Sequence, residues 1–356
     1  PFCIRRALRL SERWLGIPPD ELGDESIVLP QAGDIYLLLD LHTDAVSRNE
    51  ALFAALVSRG IRLHAVVYDL LPISNPEWFP NDAASSFIEW AQVVAKHACG
   101  LHAISKASAF AVRNLLAPAG KVEWFHLGAD IESSLPFEDS DEGLEELDMA
   151  LKQRSGEPAA PIVLMVSTVE PRKGHMQALD AFEALWRCTP CMAEGQPIAT
   201  NKANWSQARL VIVGHLGWCV DHLRDRLEGH PERGRRLFWL SKLSDQSLLQ
   251  LYRRADLFLM ASEGEGFGLP IVEAARHGVA LLLRDLPVFR ELADGYAMWF
   301  DTDKKLSGAL VKALDQIAAG SAPRSNDMPL LSWEESAAHL ADQLLADVGL
   351  RTLESR

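Results

Sequence analysis

Short apolar runs alternate with helix-period segments along nearly the whole chain, and this alternation limits the fold more than any other feature. Four runs in the first part are predicted to be strands: 34–41, 61–70, 101–105 and 121–127. Six more follow in the second part: 161–168, 208–214, 235–240, 255–262, 279–285 and 297–300. Strands separated by helices form βαβ units, whose strands run parallel. The sequence therefore predicts an α/β fold with parallel sheets.

The length of the chain and one break in its periodicity predict two domains. The 356 residues suit two domains of roughly 150 to 200 residues, each with its own core. An acidic stretch flanked by Pro, Gly and Ser interrupts the alternation. We predict four segments: an N-terminal domain over 1–135, an acidic linker over 136–158, a C-terminal domain over 159–330, and a C-terminal helical segment over 331–356 that is free to pack back on the N-terminal domain.

Charge, hydropathy and cysteine content exclude several classes of protein. The formal net charge is −14 at pH 7, so the chain lacks the basic field that binding to nucleic acid needs. No apolar run reaches the roughly 18 to 20 residues that cross a bilayer. Five cysteines form an odd, sparse set, which favours a reduced, cytoplasmic protein. Cys188 and Cys191 form a C-x2-C pair without a second pair at zinc-ligand spacing, so we predict no metal site.

The segment ASEGEGFGLPIVEA (261–274) follows a predicted strand and places two carboxylates, Glu265 and Glu273, around a glycine-rich turn. Pro270 suits the first turn of a helix, because its ring fixes φ and its nitrogen carries no hydrogen. We predict that the free N–H groups of this helix start bind an anion, with Glu273 in the first turn and both glutamates facing that site. Carboxylates beside an anion site are explained by a ligand that also carries hydroxyl groups, such as a sugar nucleotide.

A diphosphate needs cations, and the segment VSTVEPRKGH (166–175) supplies Arg172 and Lys173 at the end of another predicted strand. A forked guanidinium and an ammonium group together neutralise a diphosphate and the charge that grows on it as its bond to a sugar breaks. Asp69, at the end of the strand LHAVVY, has two interpretations: it contributes to the cleft, or it caps the next turn.

The segments EGFGLPIVEA and EPRKGH together resemble the retaining glycosyltransferases of family four, which have the GT-B fold of two Rossmann-like domains facing each other across a cleft. The resemblance extends over most of the chain, and it is greatest for bacterial mannosyl- and rhamnosyltransferases that build O-antigen, capsule or exopolysaccharide. It implies that Glu265 contacts the transferred sugar, Glu273 the ribose, and Arg172 and Lys173 the diphosphate. Other implied donor contacts are Gly266, Phe267, Gly268 and Leu269, with Ser241 and Leu243 near the base.

The implied activity is transfer of a hexose from a nucleotide donor, with GDP-mannose as the first hypothesis, to a hydroxyl of a growing polysaccharide or lipid-linked glycan. The resemblance implies no metal and no cofactor beyond the donor substrate. Two alternatives stay open: a catalytically idle GT-B module that binds or scaffolds, and a GT-B enzyme of another kind, such as a sugar-nucleotide epimerase. Residues 2–15 mix arginines with apolar side chains, and either pack on the first domain or lie on an anionic membrane.

Three positions depart from the family pattern. Tyr68-Asp69 stands where many members have His-Asp, and Ser167 stands where a glycine is usual. Before residue 34 we identify no counterpart of the first strand and its glycine-rich loop, so we expect that the chain is either a fragment or one module cut from a larger enzyme. Among the histidines, His102 is interpreted as a packed strand residue, and His215 as a residue at a strand end that a donor could approach.

Overall fold

The structure is a computed structural model that describes residues 30–130, 144–152, 160–187, 205–347 and 349. The described residues form two parallel sheets, so the predicted α/β class with two sheets is confirmed. All ten predicted strands are present, and only one begins outside its predicted range, at Gly100 instead of residue 101. Residues 2–15, which we predicted to pack on the first domain or to lie on a membrane, are outside the described residues. The same holds for Cys188 and Cys191, for which we predicted no metal site.

The first sheet has four strands in the order β1-β2-β3-β4, all parallel. They are β1 (Ile35–Leu38), β2 (Arg62–Val67), β3 (Gly100–Ala103) and β4 (Lys121–Trp124). The helices of this part are α1 (Thr43–Arg48), α2 (Glu50–Ser58), α3 (Leu71–Ser74), α4 (Asn81–His97) and α5 (Lys106–Leu115). Burial of β2 and β3 on both faces explains why their sequences are almost continuously apolar.

The second sheet has six parallel strands in the order β10-β9-β8-β5-β6-β7. They are β5 (Ile162–Val166), β6 (Arg209–Val213), β7 (Leu237–Leu240), β8 (Leu257–Met260), β9 (Ala280–Arg284) and β10 (Met298–Phe300). The chain runs outward from β5 to β7 and then crosses back to place β8 on the other side of β5. The strand order therefore reverses between β5 and β8.

Helices cover both faces of the second sheet, and the chain ends in one further helix. They are α6 (Leu144–Leu151), α7 (His175–Arg187), α8 (Asp221–Glu228), α9 (Asp245–Arg254), α10 (Leu269–Arg276), α11 (Pro287–Ala293), α12 (Asp303–Ala318) and α13 (Trp333–Asp347). Helix α6 falls inside the interval predicted as an acidic linker, and its Leu147 and Ala150 are buried in the core of the second sheet. None of the helices within the described ranges is long and apolar enough to span a bilayer.

A continuous apolar cluster joins the two sheets. Val66 and Phe125 of the first part share it with Phe267 and Phe289 of the second. Polar contacts reinforce this junction, since Glu291 of α11 accepts hydrogen bonds from the first two backbone N–H groups of α5, at 2.7 and 3.1 Å, and from His126 Nε2 at 2.6 Å. A carboxylate at the start of a helix also complements the positive end of the helix dipole.

Helix α13 lies against the first sheet, although it follows the second sheet in the chain. Ser336 Oγ donates to the carbonyl oxygen of His126 at 2.7 Å, and Gln343 Nε2 donates to that of Trp124 at 2.7 Å. At the far end of the helix, Asp347 forms an ion pair with Arg62 of β2. The exact domain boundaries stay a prediction, but these contacts attach residues 333–347 to the first sheet.

Candidate active site

The loops that follow β5 and β8 meet at the point where the strand order of the second sheet reverses. In open α/β sheets, ligands bind in the crevice outside the carboxyl ends of the strands at such a point. The loop after β5 carries Arg172 and Lys173, and the loop after β8 carries Glu265. The backbone N–H of Glu263 donates to the carbonyl oxygen of Arg172 at 2.7 Å, so the two loops are tied together.

The two predicted cations and the first predicted carboxylate contact one another directly. Lys173 Nζ lies 2.6 Å from Glu265 Oε1, and Arg172 Nη1 lies 3.1 Å from Glu265 Oε2. Arg172 Nη1 also donates to the carbonyl oxygen of Gly264 at 2.7 Å. These three side chains are only 10–11% exposed. Burial alone raises the pKa of Glu265, but the charges of Lys173 and Arg172 outweigh it and hold that pKa below its ordinary value.

Glu170 is a further carboxylate at this site, which the sequence analysis did not single out. It is 5% exposed, and its Oε2 lies 3.4 Å from Arg172 Nε. Both atoms are buried, and neither forms a hydrogen bond with the described residues. Burial raises the pKa of Glu170, and the charge of Arg172 opposes this effect only in part. The sequence feature that could have indicated Glu170 is the EPRK segment, in which this glutamate directly precedes the turn that holds Arg172 and Lys173.

Asp69 approaches the same site from the end of β2. Its Oδ1 accepts a hydrogen bond from Leu71 N at 2.9 Å, so it does cap the next turn. It also lies close enough to Arg172, Glu265 and Lys173 for their charges to change its acidity. Burial is the largest effect and raises the pKa of Asp69. The bond from Leu71 N matches the interpretation of Asp69 as a cap of the next turn, and its role in the cleft stays a prediction.

Gly266 brings the glycine-rich loop against the first domain. A Cβ atom at this position would lie 2.1 Å from the carbonyl oxygen of Tyr68 and 3.0 Å from Asp69 Cβ, so only glycine fits without displacing the backbone. The carbonyl oxygen of Gly266 accepts hydrogen bonds from Ser105 Oγ at 2.7 Å and Ser108 Oγ at 3.1 Å. The absence of a side chain at Gly266 therefore allows the two domains to come into contact here.

The glycine-rich loop leads directly into α10. Gly268 precedes the helix with a φ of 115°, a left-handed conformation that favours glycine. Among the described residues no side chain caps this helix start, so its N–H groups are available to an anion. Phe267 is buried and packs on His126 with ring centroids 5.5 Å apart. Leu269, the first residue of the helix, is half-buried and packs against the core that joins the two sheets.

Glu273 lies deeper in α10 than the sequence analysis placed it. The helix begins at Leu269, one residue before Pro270, so Glu273 is its fifth residue and lies beyond the first turn. Its Oε2 accepts a hydrogen bond from Tyr252 Oη at 2.8 Å. Burial raises the pKa of Glu273, and the bond from Tyr252 opposes this effect. The two glutamates of the segment are thus held by different partners: Glu265 by cations and Glu273 by a hydroxyl group.

Ser241 and Leu243 lie in the loop between β7 and α9, at the same edge of the sheet as the loops after β5 and β8. Ser241 is exposed and Leu243 is half-buried. Ser244 caps α9 by accepting a hydrogen bond from Ser247 N at 3.2 Å. The charge of Asp245, at the start of that helix, raises the pKa of Glu273, so this loop lies beside the second glutamate.

Aromatic side chains cover the site on the side of the first domain. Trp218 Nε1 donates to the carbonyl oxygen of Trp78 at 2.8 Å, and the ring of Trp218 lies 5.8 Å from that of Phe79. The guanidinium carbon of Arg172 lies 5.9 Å from the centroid of Phe79. These contacts had no sequence signal, because they join loops of both domains.

The two histidines considered in the sequence analysis differ in their surroundings. His102 is 1% exposed in β3, which agrees with its interpretation as a packed residue. His215 is exposed in the loop after β6, and its backbone carbonyl oxygen accepts a hydrogen bond from Val169 N at 2.8 Å. Its backbone therefore helps to hold the loop that leads to Arg172.

Taken together, the carboxyl edge of the second sheet presents two cations and an uncapped helix start beside several buried carboxylates. The cations and N–H groups suit a diphosphate, and carboxylates suit hydroxyl groups. The pKa values of Asp69, Glu170 and Glu273 are raised by burial, whereas that of Glu265 is lowered. Such a site can bind a ligand that combines phosphates with a polyol and can stabilise negative charge on a leaving phosphate.

In a comparison with known proteins, the part of the chain that carries most of this site matches one protein family. Residues 150–328 match the family model described as "Glycosyl transferases group 1". This interval contains both loops at the strand-order reversal, with Arg172, Lys173, Glu265 and Glu273. It begins within α6 and ends just before α13.

Curated relatives include mannosyltransferases of Escherichia coli. Two proteins named "Serotype-specific mannosyltransferase WbdA" are 34% and 35% identical to this chain over 92% of its length. The chain spans 39% of the length of each of them. A protein named "O-antigen chain mannosyltransferase B", also from Escherichia coli, is 32% identical over 36% of this chain and 30% of its own length.

Solved structures with a similar fold include two glycosyltransferases. Anabaena HepE in complex with UDP-glucose superposes with a TM-score of 0.62 at 18% identity, over 87% of this chain and 78% of that one. The sucrose-phosphate synthase of Thermosynechococcus elongatus superposes with a TM-score of 0.63 at 16% identity, over 88% and 73% of the two chains. Similarity at this level of identity concerns the fold, and it confirms the predicted GT-B architecture.

Proposed function

The chain belongs to the family of group 1 glycosyl transferases, and on that premise we propose that it transfers mannose from GDP-mannose, with retention of configuration, to a hydroxyl group of a growing bacterial glycan. The membership bears out the sequence-based resemblance to glycosyltransferases. The names of the Escherichia coli relatives support mannose as the sugar and O-antigen as the class of product. Because the chain spans about two fifths of the length of the first two, the proposal concerns one transfer site.

The ion pairs of Glu265 with Arg172 and Lys173 carry the proposal. Without a ligand, the carboxylate neutralises two cations that are almost completely buried. A diphosphate that enters beside them takes over this role, because it offers more negative charge and more acceptor oxygens than one carboxylate. Glu265 is then free to accept hydrogen bonds from the sugar hydroxyls. The low pKa of Glu265 ensures that it is ionised and able to do so near neutral pH.

The same cations stabilise the leaving group. As the bond between the sugar and the diphosphate breaks, negative charge grows on the phosphate oxygen that leaves. Arg172, Lys173 and the uncapped N–H groups of α10 are in position before the reaction, so they need not reorganise. No protein nucleophile is required if the departing phosphate takes the proton of the acceptor hydroxyl on the same face of the sugar.

The remaining residues of the site have proposed roles that follow from their positions. Glu273 binds the ribose, held in place by Tyr252, and the loop of Ser241 and Leu243 lies beside the base. Asp69 comes from the first domain and is oriented by Leu71 N, so it is suited to bind the transferred sugar or the acceptor. We infer a cytoplasmic reaction with a glycan or lipid-linked acceptor, and no cofactor beyond the donor.

Calorimetric titration of GDP, UDP, dTDP and ADP into the full chain tests the donor site. We expect GDP to bind most tightly, and Lys173→Ala to weaken it about 10- to 150-fold, since a hydrogen bond to a charged group contributes roughly 1.5–3 kcal/mol. Lys312→Ala removes an exposed lysine on α12 and serves as the matched control. Mannose transfer from GDP-mannose to a mannosyl acceptor is then followed by mass spectrometry.

Each negative result has a distinct meaning. Failure of all four nucleotides to bind would contradict the donor site itself. Tight binding of a nucleotide other than GDP would contradict the proposed donor and leave the site in place. Conversion of GDP-mannose to another sugar nucleotide without an acceptor would identify an epimerase.

A further inference from the structure

Three potential metal ligands converge between the first sheet and α13. His64 Nε2 lies 3.3 Å from Cys99 Sγ and 3.3 Å from Asp347 Oδ2, and the sulfur lies 3.7 Å from that oxygen. His64 belongs to β2, Cys99 directly precedes β3, and Asp347 ends α13. The cluster lies near the amino ends of the strands, away from the carboxyl ends that lead to the candidate active site.

A chain of hydrogen bonds fixes which nitrogen of His64 carries the proton. Gln343 Nε2 donates to the carbonyl oxygen of Trp124 at 2.7 Å, so Gln343 Oε1 faces His102 Nδ1 at 2.8 Å and accepts a hydrogen bond from it. His102 Nε2 is then an acceptor, and His64 Nδ1 donates to it at 2.9 Å. The lone pair of His64 Nε2 therefore points toward the thiol and the carboxylate.

We propose that His64 Nε2, Cys99 Sγ and Asp347 Oδ2 bind a first-row divalent metal ion of the Zn²⁺ class. Bonds of about 2.3 Å to sulfur and about 2.0 Å to nitrogen or oxygen give ligand separations of roughly 3.3–3.5 Å in a tetrahedron. The three separations in the structure are 3.3, 3.3 and 3.7 Å, which match this arrangement closely. One nitrogen, one sulfur and one oxygen ligand leave a fourth position for water.

The residues around the cluster resemble the outer shell that such sites need. A metal-binding histidine usually donates its second ring nitrogen to a neighbouring acceptor, as His64 does to His102. Gly100 makes room for both imidazoles, because a Cβ there would lie 2.5 Å from His64 Nδ1 and 3.2 Å from His102 Nε2. The orientation of His64 Nε2 is thus fixed by its surroundings, which are the ring of His102, Gly100 and Gln343.

Two cations contact Asp347 and oppose metal binding, and Arg62 does so at Oδ2, the oxygen proposed as the metal ligand, through both Nε and Nη2. Arg62 Nε donates to Asp347 Oδ2 at 2.7 Å, and Lys121 Nζ lies 3.6 Å from Oδ1. A metal ion adds two positive charges, of which the thiolate offsets one when the Cys99 proton leaves to the solvent. The pair with Arg62 therefore competes with the metal for the carboxylate, and removal of Arg62 tightens metal binding.

The site joins parts of the chain that are far apart in sequence. His64 and Cys99 lie in the first sheet, whereas Asp347 lies at the end of the helix that returns to it. A bound ion fastens this helix to the sheet and thereby stabilises the folded chain. The proposal departs from the sequence-based prediction of no metal and does not rest on the proposed function, because it uses none of the active-site residues.

Co²⁺ is the probe of choice, because a cobalt–thiolate bond absorbs in the near ultraviolet. The full chain is used with Cys3, Cys188, Cys191 and Cys219 replaced by serine, so that Cys99 is the sole thiol. We expect one Co²⁺ per chain, a thiolate band, its displacement by Zn²⁺, and a higher melting temperature with either ion. Cys99→Ser abolishes the band, and His102→Gln lowers the affinity about 10- to 100-fold, because His102 orients the imidazole of His64.

The Arg62→Met variant distinguishes a metal site from a simple ion pair between Arg62 and Asp347. We expect it to bind Co²⁺ more tightly than the parent, whereas a site that exists only to pair Arg62 with Asp347 binds no ion in either protein. Absence of the thiolate band in the folded parent at saturating Co²⁺ overturns the proposal, as does a band that persists with Cys99→Ser. The parent measurement decides the matter even if a variant fails to fold.

Discussion

Lys173 Nζ lies 2.6 Å from Glu265 Oε1, in loops that are 92 residues apart in the chain. The pair exists because the second sheet reverses its strand order between β5 and β8, which brings both loops to one crevice. In the absence of a ligand, it keeps two cations and a carboxylate charged in a site that is almost closed to water. The ion pair thus links the stability of the second sheet to the binding of an anionic ligand.

Removal of this carboxylate should destabilise the chain and make it more responsive to a ligand. Glu265→Ala leaves Arg172 and Lys173 without their counter-ion, and breaking a buried pair costs roughly 3–5 kcal/mol. We expect GDP to raise the melting temperature of the variant more than that of the parent, since its phosphates replace the carboxylate. Urea unfolding and thermal melts measure both effects.

The matched control is Asp301→Ala, which breaks an exposed pair of the same 2.6 Å length with Lys305. An exposed pair contributes about 1 kcal/mol or less, so this variant should hardly change stability. Equal losses for the two variants would mean that burial of the Glu265 pair has no energetic consequence.

Addition of one methyl group at Gly266 should disturb the contact between the domains. A Cβ atom would lie 2.1 Å from the carbonyl oxygen of Tyr68, and overpacking of this kind costs about 1–3 kcal/mol. We expect Gly266→Ala to lose that much stability and to slow transfer. Gly308→Ala is the control, because a Cβ there meets nothing within 4 Å and alanine in a helix is favoured by about 0.5–1 kcal/mol. A stable, fully active Gly266→Ala protein would contradict the inferred role.

Glu273 should contribute to nucleotide binding through a geometry that Tyr252 holds. Glu273→Ala removes acceptors for the ribose hydroxyls, and we expect GDP affinity to fall about 10- to 100-fold. Tyr252→Phe keeps the ring packed on Phe258, at a centroid distance of 6.2 Å, and removes only the hydroxyl that fixes the carboxylate. Its effect on affinity should be smaller. Calorimetry on both variants distinguishes a ligand-binding carboxylate from one that only stabilises the helix, for which affinity would not change.

His175 should make the chain less stable in mild acid. Burial lowers the pKa of His175 to about 3, and the charge of Lys173 acts in the same direction. In the unfolded chain its pKa is about 6.5, so protonation favours unfolding, and the stability present above that value is lost as the pH falls toward 3. This one group should account for about 1.4 kcal/mol between pH 7.5 and 5.5.

His175→Gln tests this assignment, because glutamine does not titrate. The difference in unfolding free energy between parent and variant should change by about 1.4 kcal/mol between pH 7.5 and pH 5.5. Urea unfolding at these two pH values measures it. A difference that is constant over this range would show that His175 does not supply the pH dependence.

The sequence predicted the strands well because most of them are parallel and buried, and such strands are nearly continuous apolar runs, whereas β1 and β4 are partly exposed. It also placed Arg172, Lys173 and Glu265 at the same sheet edge, since each follows a strand. It could not predict that they pair with one another, because this depends on the order of the strands. It placed Glu273 in the first helical turn, since Pro270 was taken as the helix start, whereas the helix begins one residue earlier.

Other features could not be predicted from the sequence, because they join segments that are far apart in the chain. The bonds of Ser105 and Ser108 to Gly266 cross from one domain to the other and have no local pattern. The cluster of His64, Cys99 and Asp347 has no recognisable ligand spacing either, since its last member comes from the end of α13.

The return of α13 to the first sheet has a consequence for the order in which the protein is made. Helices and strands of the first domain leave the ribosome early, but the contacts of Arg62, His102 and Trp124 with this helix wait for residues 333–347. During synthesis, the second domain can therefore finish folding before the first. The earlier half of the chain then stays incomplete, with a polar face open to solvent or to chaperones, until the later half has been translated.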